Sequence, residues 1–296
     1  MGRLNVVTGM DQGLFHRFCE LAYDRAGIRL KAGKEALVSA RVGKRQRALG
    51  VPDLEDYLAC LESDESGDEV VHFLDAISTN YTRFFREREH FDFLAARARR
   101  WVAEGRQRLR IWSAASSSGE EPYSIAICLA EAIGHHDVDF RVLATDISTQ
   151  KLTEGSAGVY RPEALASLDR PLLSKYFERR IDRTRGATTY VVRPWLRERV
   201  VFKRLNLSAP PFPMPGPLDV VFCRNVMIYF DNVVRQRLVG EIARLLGAGC
   251  FLLTGHAETL TGLRHDLEVI RPSIYRKAHT PQKKEAPTEA PLGDVR

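Results

Sequence analysis

The 296-residue sequence has no GxGxxG segment, no CxxC pair and no apolar run long enough to cross a bilayer. The missing glycine fingerprint argues against a dinucleotide-dependent oxidoreductase. The five cysteines, Cys19, Cys60, Cys128, Cys223 and Cys250, are too widely spaced for a zinc or thiol-redox motif. They read as buried, reduced thiols of a cytoplasmic protein, with no metal site expected. The opening residues, MGRLNVVTGMDQG, lack an apolar signal core, and Val6 stands where myristoylation needs Ser or Thr. Neither export nor a lipid anchor is expected.

What is present is an ordinary globular composition, 44% apolar, with a net charge of 44 − 38 = +6. The charge is unevenly distributed. Seven basic residues and one acid lie between Arg29 and Arg47, whereas nine acids and no Lys or Arg lie between Asp53 and Asp75. This split predicts a small domain with one basic and one acidic face. Helical spacing of Leu14, Phe15, Phe18, Leu21 and Ala22, with Gly27 as a stop, predicts the first helix. A second is expected over 34–48. A third follows Pro52, with Leu54, Tyr57, Leu58 and Leu61 on one face, and a fourth carries Val70 to Ile77. Residues 1–78 thus read as an N-terminal helical domain.

Beyond about residue 108, apolar strands alternate with helices. Strands are expected at 109–115, 140–146, 199–204, 218–223, 249–254 and 273–277, and helices at 120–133, 149–155, 162–168 and 231–246. The pattern predicts an α/β fold over 79–280, a doubly wound and mostly parallel sheet. Within it, 176–193 reads as a β-hairpin in an inserted β-subdomain, 176–198. The tail 281–296, with three prolines and few large apolar residues, reads as disordered.

The chemistry begins at the first strand, where LRIWS runs into the small-residue loop AASSSG and then a helix. Small residues let a ligand approach the backbone. Glu120 and Glu121 follow at the helix N-terminus, where they would repel a pyrophosphate. They suit a ligand with hydroxyls and a positive centre, such as S-adenosylmethionine. Asp146, at the end of the second strand, is positioned to accept ribose hydroxyls; the competing reading is a helix N-cap.

Four segments in order carry a family resemblance: TNYTRFFRE (Thr79–Glu87), SAASSSGEEPYS, ATDIS (Ala144–Ser148) and FCRNVMIYF (Phe222–Phe230). Together they resemble the chemoreceptor glutamate methyltransferases of bacterial chemotaxis, the CheR family, from about residue 12 to 277. Ala115 and Ser116 stand where many relatives have Gly-Cys, and Ala257 where Ser is common. The resemblance implies an S-adenosylmethionine-dependent protein-glutamate O-methyltransferase with S-adenosylhomocysteine as product. Its implied cofactor residues are Asn80, Thr82, Arg86, Glu121, Asp146, Asn206, Leu207, Arg224 and Asn225, with Glu120 left a structural role. Arg86 and Tyr229 are the implied catalytic pair, the first gripping and the second hydrogen-bonding the substrate carboxylate. Lys34, Arg41, Lys44 and Arg45 on the basic helix would meet the acidic methylation region of chemoreceptor cytoplasmic helices.

A nucleic-acid methyltransferase is the first rival, but no NPPY or DPPY segment stands where CRNVMIY does, and no base-stacking strip is evident. A non-catalytic docking module is the second; Arg86, Asp146, Arg224 and Tyr229 argue against decay. His256 in TGHAE reads as solvent-facing or structural, because the implied reaction needs no base. No nucleic-acid partner and no membrane insertion are expected, and the protein is expected to be a monomer.

Overall fold

The structure, a computed structural model, describes residues 10–78, 81–182 and 187–279. Asn80, residues 183–186 and the proline-rich tail fall outside them.

Four helices open the chain: α1 (Gln12–Ala26), α2 (Glu35–Leu49), α3 (Leu54–Glu62) and α4 (Asp68–Ile77). Each starts or stops where local chemistry requires it. The Asp11 side chain accepts the Leu14 amide, and Gly27 ends α1 at φ 67°. Asp53 caps α3 through the Glu55 and Asp56 amides. Phe18, Val42, Tyr57, Leu58, Leu61 and Phe73 form the buried centre of the bundle.

The basic and acidic stretches of this domain touch at one point in the packing. Arg45 grips Glu69 through two bonds of 2.7 and 2.6 Å, and Tyr57 donates to the same carboxylate. Arg17 on α1 reaches Glu62 on α3. The first pair is partly buried and the second exposed.

Helix α5 (Glu89–Ala103) leads into β1 (Arg108–Ser113), α6 (Glu120–Ile133), β2 (Asp139–Asp146) and α7 (Thr149–Ala157). Next come β3 (Val159–Tyr160), a 3-10 turn at Pro162–Leu165, α8 (Arg170–Tyr176), β4 (Phe177–Asp182) and β5 (Ala187–Val192). The chain continues through α9 (Pro194–Arg197), β6 (Val200–Arg204), β7 (Leu218–Cys223), α10 (Asn232–Leu245), β8 (Leu246–Thr254), β9 (Leu267–Arg271) and β10 (Ile274–Lys277).

The main sheet has the order β6-β2-β1-β7-β8-β10-β9. The first five strands are parallel, and β10 and β9 close one edge antiparallel. Successive residues of β1 point to opposite faces. Ile111 joins the core beneath α5 and α6, while Trp112 joins the core beneath α10. With both faces covered, the middles of the central strands are apolar, as at Ile111–Trp112, Val220–Phe222 and Phe251–Leu253.

The expected hairpin is β4 paired with β5, from Phe177↔Val192 to Asp182↔Ala187. Strand β3 adds a third member to this small sheet. Phe84 ties it to the main core, edge-on to Tyr160 at 5.0 Å and to Phe177 at 5.7 Å. The helix expected at 162–168 is a single 3-10 turn, and α5, α8, α9, β3 and β9 are additions. Cys128, Cys223 and Cys250 are buried free thiols, but Cys60 is exposed and Cys19 half-buried. No described helix is long and apolar enough to cross a membrane.

Candidate active site

The carboxyl ends of β1, β2, β6 and β7 face the helical bundle across a cavity of about 380 Å³. This is the ligand-binding edge of an open α/β sheet. Its walls combine Ala114, Ser117 and Glu121 from the β1–α6 turn with Asp146, Leu205 and Leu207. Ile28, Lys34 and Arg41 contribute from the bundle side.

Arg224 organises the floor. Its guanidinium is almost wholly buried between two carboxylates, with Nη1 2.8 Å from Glu121 Oε2 and Nη2 2.9 Å from Glu87 Oε2. Nη2 also donates to the carbonyl of Arg86. The other Glu121 oxygen accepts the Ser113 hydroxyl at 2.7 Å. Burial pushes the Glu121 carboxyl above its ordinary range, with Arg224 and Ser113 opposing. At Glu87 burial pulls the same way, but Arg224 and Asn225 outweigh it and hold the group below its ordinary value. Glu121 is thus a cavity-lining acid that is also a partner of Arg224. Glu120 accepts the Ser118 hydroxyl at 2.8 Å and does not line this cavity.

Asp146 accepts the Ser117 amide at 2.8 Å and the Ser148 amide at 3.0 Å. The N-cap of α7 is Ser148, whose hydroxyl accepts the Lys151 amide. The competing capping reading therefore belongs to Ser148. Burial raises the Asp146 carboxyl, against those amide bonds. The Ile147 amide adds a third interaction; a carboxylate has about four acceptor positions, which leaves capacity toward the cavity.

Backbone strain concentrates around the cavity. Of five described non-glycine residues at positive φ, four are Phe85, Glu87, Ser117 and Asn225, in the segments that build the site. Phe85 and Glu87 flank Arg86, and the Phe85 amide is fixed by the Ser124 hydroxyl at 2.9 Å.

The other expected residues sort as follows. Thr82, Arg86, Asn206, Leu207, Arg224, Asn225 and Tyr229 all line the cavity with Glu121 and Asp146. Arg86 donates to the Tyr81 carbonyl at 2.9 Å and lies over the Tyr81 ring. Asn206 uses its amide group within the protein, donating to the Arg25 carbonyl at 2.8 Å and accepting from Ser208. Asn80 lies outside the described residues.

On the basic helix, Lys34 and Arg41 line the cavity, joined by Arg29, Lys31 and Arg83. Arg41 also caps α4, donating to the carbonyls of Ile77 and Ser78. Lys44 and Arg45 do not line it, and Arg45 is held by Glu69.

Two acids missed in the sequence hold the site together. Glu258 accepts the amides of Asn225, Val226 and Gly255 at 2.7 to 2.9 Å, fixing the CRNV turn. A side chain at Gly255 would meet Asn225 Nδ2 at 2.6 Å and Glu258 Oε2 at 2.8 Å, so only glycine fits. Glu87 is the second. The EEP and TGHAE segments drew attention to other residues, and only the fold brings these carboxylates to the CRN turn. His256 is half exposed, as expected, with Nε2 3.8 Å from Glu87 Oε2. His90 beside it is buried, and burial followed by Arg224 lowers its imidazole to about 4.

The chain matches the family model for the CheR methyltransferase all-alpha domain over residues 14–78, and that for the CheR methyltransferase S-adenosylmethionine-binding domain over residues 80–275. It is 42% identical over 261 residues to a chemotaxis protein methyltransferase of Klebsiella aerogenes, covering 88% of each chain. Identity to the Salmonella typhimurium chemotaxis protein methyltransferase is 39%, covering 93% of this chain and 95% of the relative. For the Escherichia coli protein it is 40%, covering 88% and 89%. Two carboxylates, Glu121 and Asp146, line the cavity at the sheet edge. The chain therefore belongs to the CheR methyltransferase family, with S-adenosylmethionine as its methyl donor.

Proposed function

We propose that this protein methylates glutamate side chains of chemoreceptors, in the cavity between its helical bundle and its sheet. One observation carries the reading. Arg86, Asp146, Arg224 and Tyr229, drawn from three distant segments, line a single cavity, with cations at its bundle side.

The bound cofactor supplies an electrophilic methyl group on a sulfonium. The substrate glutamate is ionised at neutral pH and needs no base. Its carboxylate oxygen forms the new O–CH3 bond as the C–S bond breaks, and that electron pair stays on sulfur. No proton moves, and the products are a neutral ester and a neutral thioether. The residues need only bind, align and desolvate. In this reading Asp146 accepts the ribose hydroxyls, and Asn206 and Leu207 border the adenine. Asn80 and Thr82 meet the methionine or adenosine portion. Arg86 and Tyr229 direct the attacking carboxylate. Arg224 acts chiefly by holding Glu121 in position.

The division of labour follows the chain. Residues 1–78 present the basic surface, 79–280 carry out the transfer, and the hairpin within 176–198 is a docking element. Arg29, Lys31, Lys34 and Arg83 at the cavity suit an acidic helical substrate. The enzyme acts as a cytoplasmic monomer. Incubation with methyl-labelled cofactor and a receptor cytoplasmic fragment should give base-labile label on glutamate. Label on nucleic acid instead, or none, would reject the proposal.

A further inference from the structure

Next to the cavity, but not lining it, Glu87, His90 and His256 converge so that one ligand atom from each lies within 4.8 Å of the others. Glu87 Oε2 is 3.5 Å from His90 Nδ1 and 3.8 Å from His256 Nε2. Metal–ligand bonds of about 2.0–2.1 Å in a tetrahedral site set ligand atoms about 3.3–3.4 Å apart. These two pairs lie within a few tenths of an ångström of that spacing, and the whole cluster spans no more than 4.8 Å. We propose that the three residues form a binding site for a divalent transition metal of the zinc class.

Four observations support the site. His90 is 1% exposed, and its Nδ1 has no hydrogen-bond partner. At 3.5 Å it is too far from Glu87 for a good hydrogen bond. A buried polar atom without a partner is uncommon and asks for an occupant. Second, imidazole nitrogens with one carboxylate are a zinc donor set. Third, the half-exposed His256 ring opens the cluster to solvent, which can complete the coordination, and the Glu89 carboxylate lies 3.9 Å from His256 Nε2 at its edge. Fourth, the surrounding formal charge is negative. Glu87, Glu89 and Glu121 stand against Arg224, three carboxylates to one guanidinium.

The site is linked to the methyl-transfer cavity through one atom. Glu87 Oε2, which the metal would bind, also faces Arg224 Nη2 at 2.9 Å. An ion there competes with Arg224 for the oxygen. Arg224 then loses one of the two carboxylates that fix it against Glu121 at the cavity floor. Metal binding therefore weakens cofactor binding.

The test uses the full chain, stripped with a chelator and returned to a non-coordinating buffer. Calorimetric titration with Zn²⁺ should show one ion per chain, and Co²⁺ should give the strong visible absorption of a tetrahedral site. His256→Ala removes a half-exposed ligand, so the fold should survive. It should lower Zn²⁺ affinity by at least about tenfold, since even outer-shell changes cost that much. His90→Asn should do the same, with circular dichroism checking that it folds. Zn²⁺ should weaken S-adenosylhomocysteine binding several-fold in the wild type and leave it unchanged in His256→Ala. No Zn²⁺ uptake would overturn the site. Uptake undiminished by His256→Ala would do so too, since the ion would then sit elsewhere, for instance at Cys60. Uptake with unchanged cofactor affinity would overturn the link to the cavity.

Discussion

Arg224 Nη1 lies 2.8 Å from Glu121 Oε2, and this buried pair joins the end of β7 to the first turn of α6 beneath the cofactor cavity. A guanidinium held by two carboxylates has little freedom to reorient. The pair therefore fixes the end of β7 relative to the start of α6.

Removing Arg224 should be costly, because both Glu87 and Glu121 lose their cation. Arg224→Met is expected to destabilise the fold by about 3–5 kcal/mol, the usual cost of breaking a buried pair. Adding Glu121→Gln should recover part of that loss, which urea denaturation of the single and double variants would reveal. Additive losses would mean that the pair is not coupled.

Asp146→Ala should weaken cofactor binding by about 1–3 kcal/mol, as for hydrogen bonds to a charged group. Calorimetry on the folded variant decides this. Unchanged affinity would remove Asp146 from the ribose site.

The basic rim gives a third expectation. Lys31 and Lys34 are exposed and line the cavity, and no fold-holding bond to either is seen, unlike Arg41 and Arg45. Reversing both to Glu should slow receptor methylation at low salt and leave cofactor affinity alone. The difference should shrink as salt rises and screens exposed charge. Equal rates at low salt would mean that the rim does not meet the substrate.

Stability should also report Asp64. Its carboxylate accepts the Ser66 hydroxyl and the amides of Gly67, Glu69 and Val70 at the start of α4. These bonds, that of Ser66 first, lower its pKa to about 2. The unfolded value is about 3.9, so its contribution is complete above that pH and is lost as pH falls through about 2. The stability gap between wild type and Asp64→Asn should be constant near neutrality and narrow between about pH 4 and 2. A gap that does not narrow would show that Asp64 is not the responsible group.

Much of this was legible because periodicity and capping are local. The four opening helices and six of the seven main-sheet strands follow from spacing and stop residues. Helix α5 carried a readable stripe, Phe91, Leu94, Ala98 and Trp101, but the preceding motif drew attention away from it. Strand β9 was not readable. It is an edge strand with only Leu267 buried, so it lacks the alternation that marks a half-buried strand. At the site, motif residues were legible singly, while their pairings were not. Nothing local joins Glu258 to Asn225, or Arg45 to Glu69; those contacts depend on chain separated by 24 residues or more.

The most direct test of the central claim is single-turnover methylation of a receptor fragment, followed against pH in chelator-treated buffer. Direct attack by a substrate carboxylate predicts an acid limb near the glutamate value of about 4.3, unaltered in His256→Ala. It also predicts that Arg86→Ala lowers turnover more than it weakens cofactor binding, with Tyr229→Phe a smaller loss of the same kind. Normal turnover in Arg86→Ala, or an acid limb that disappears with His256, would contradict the account.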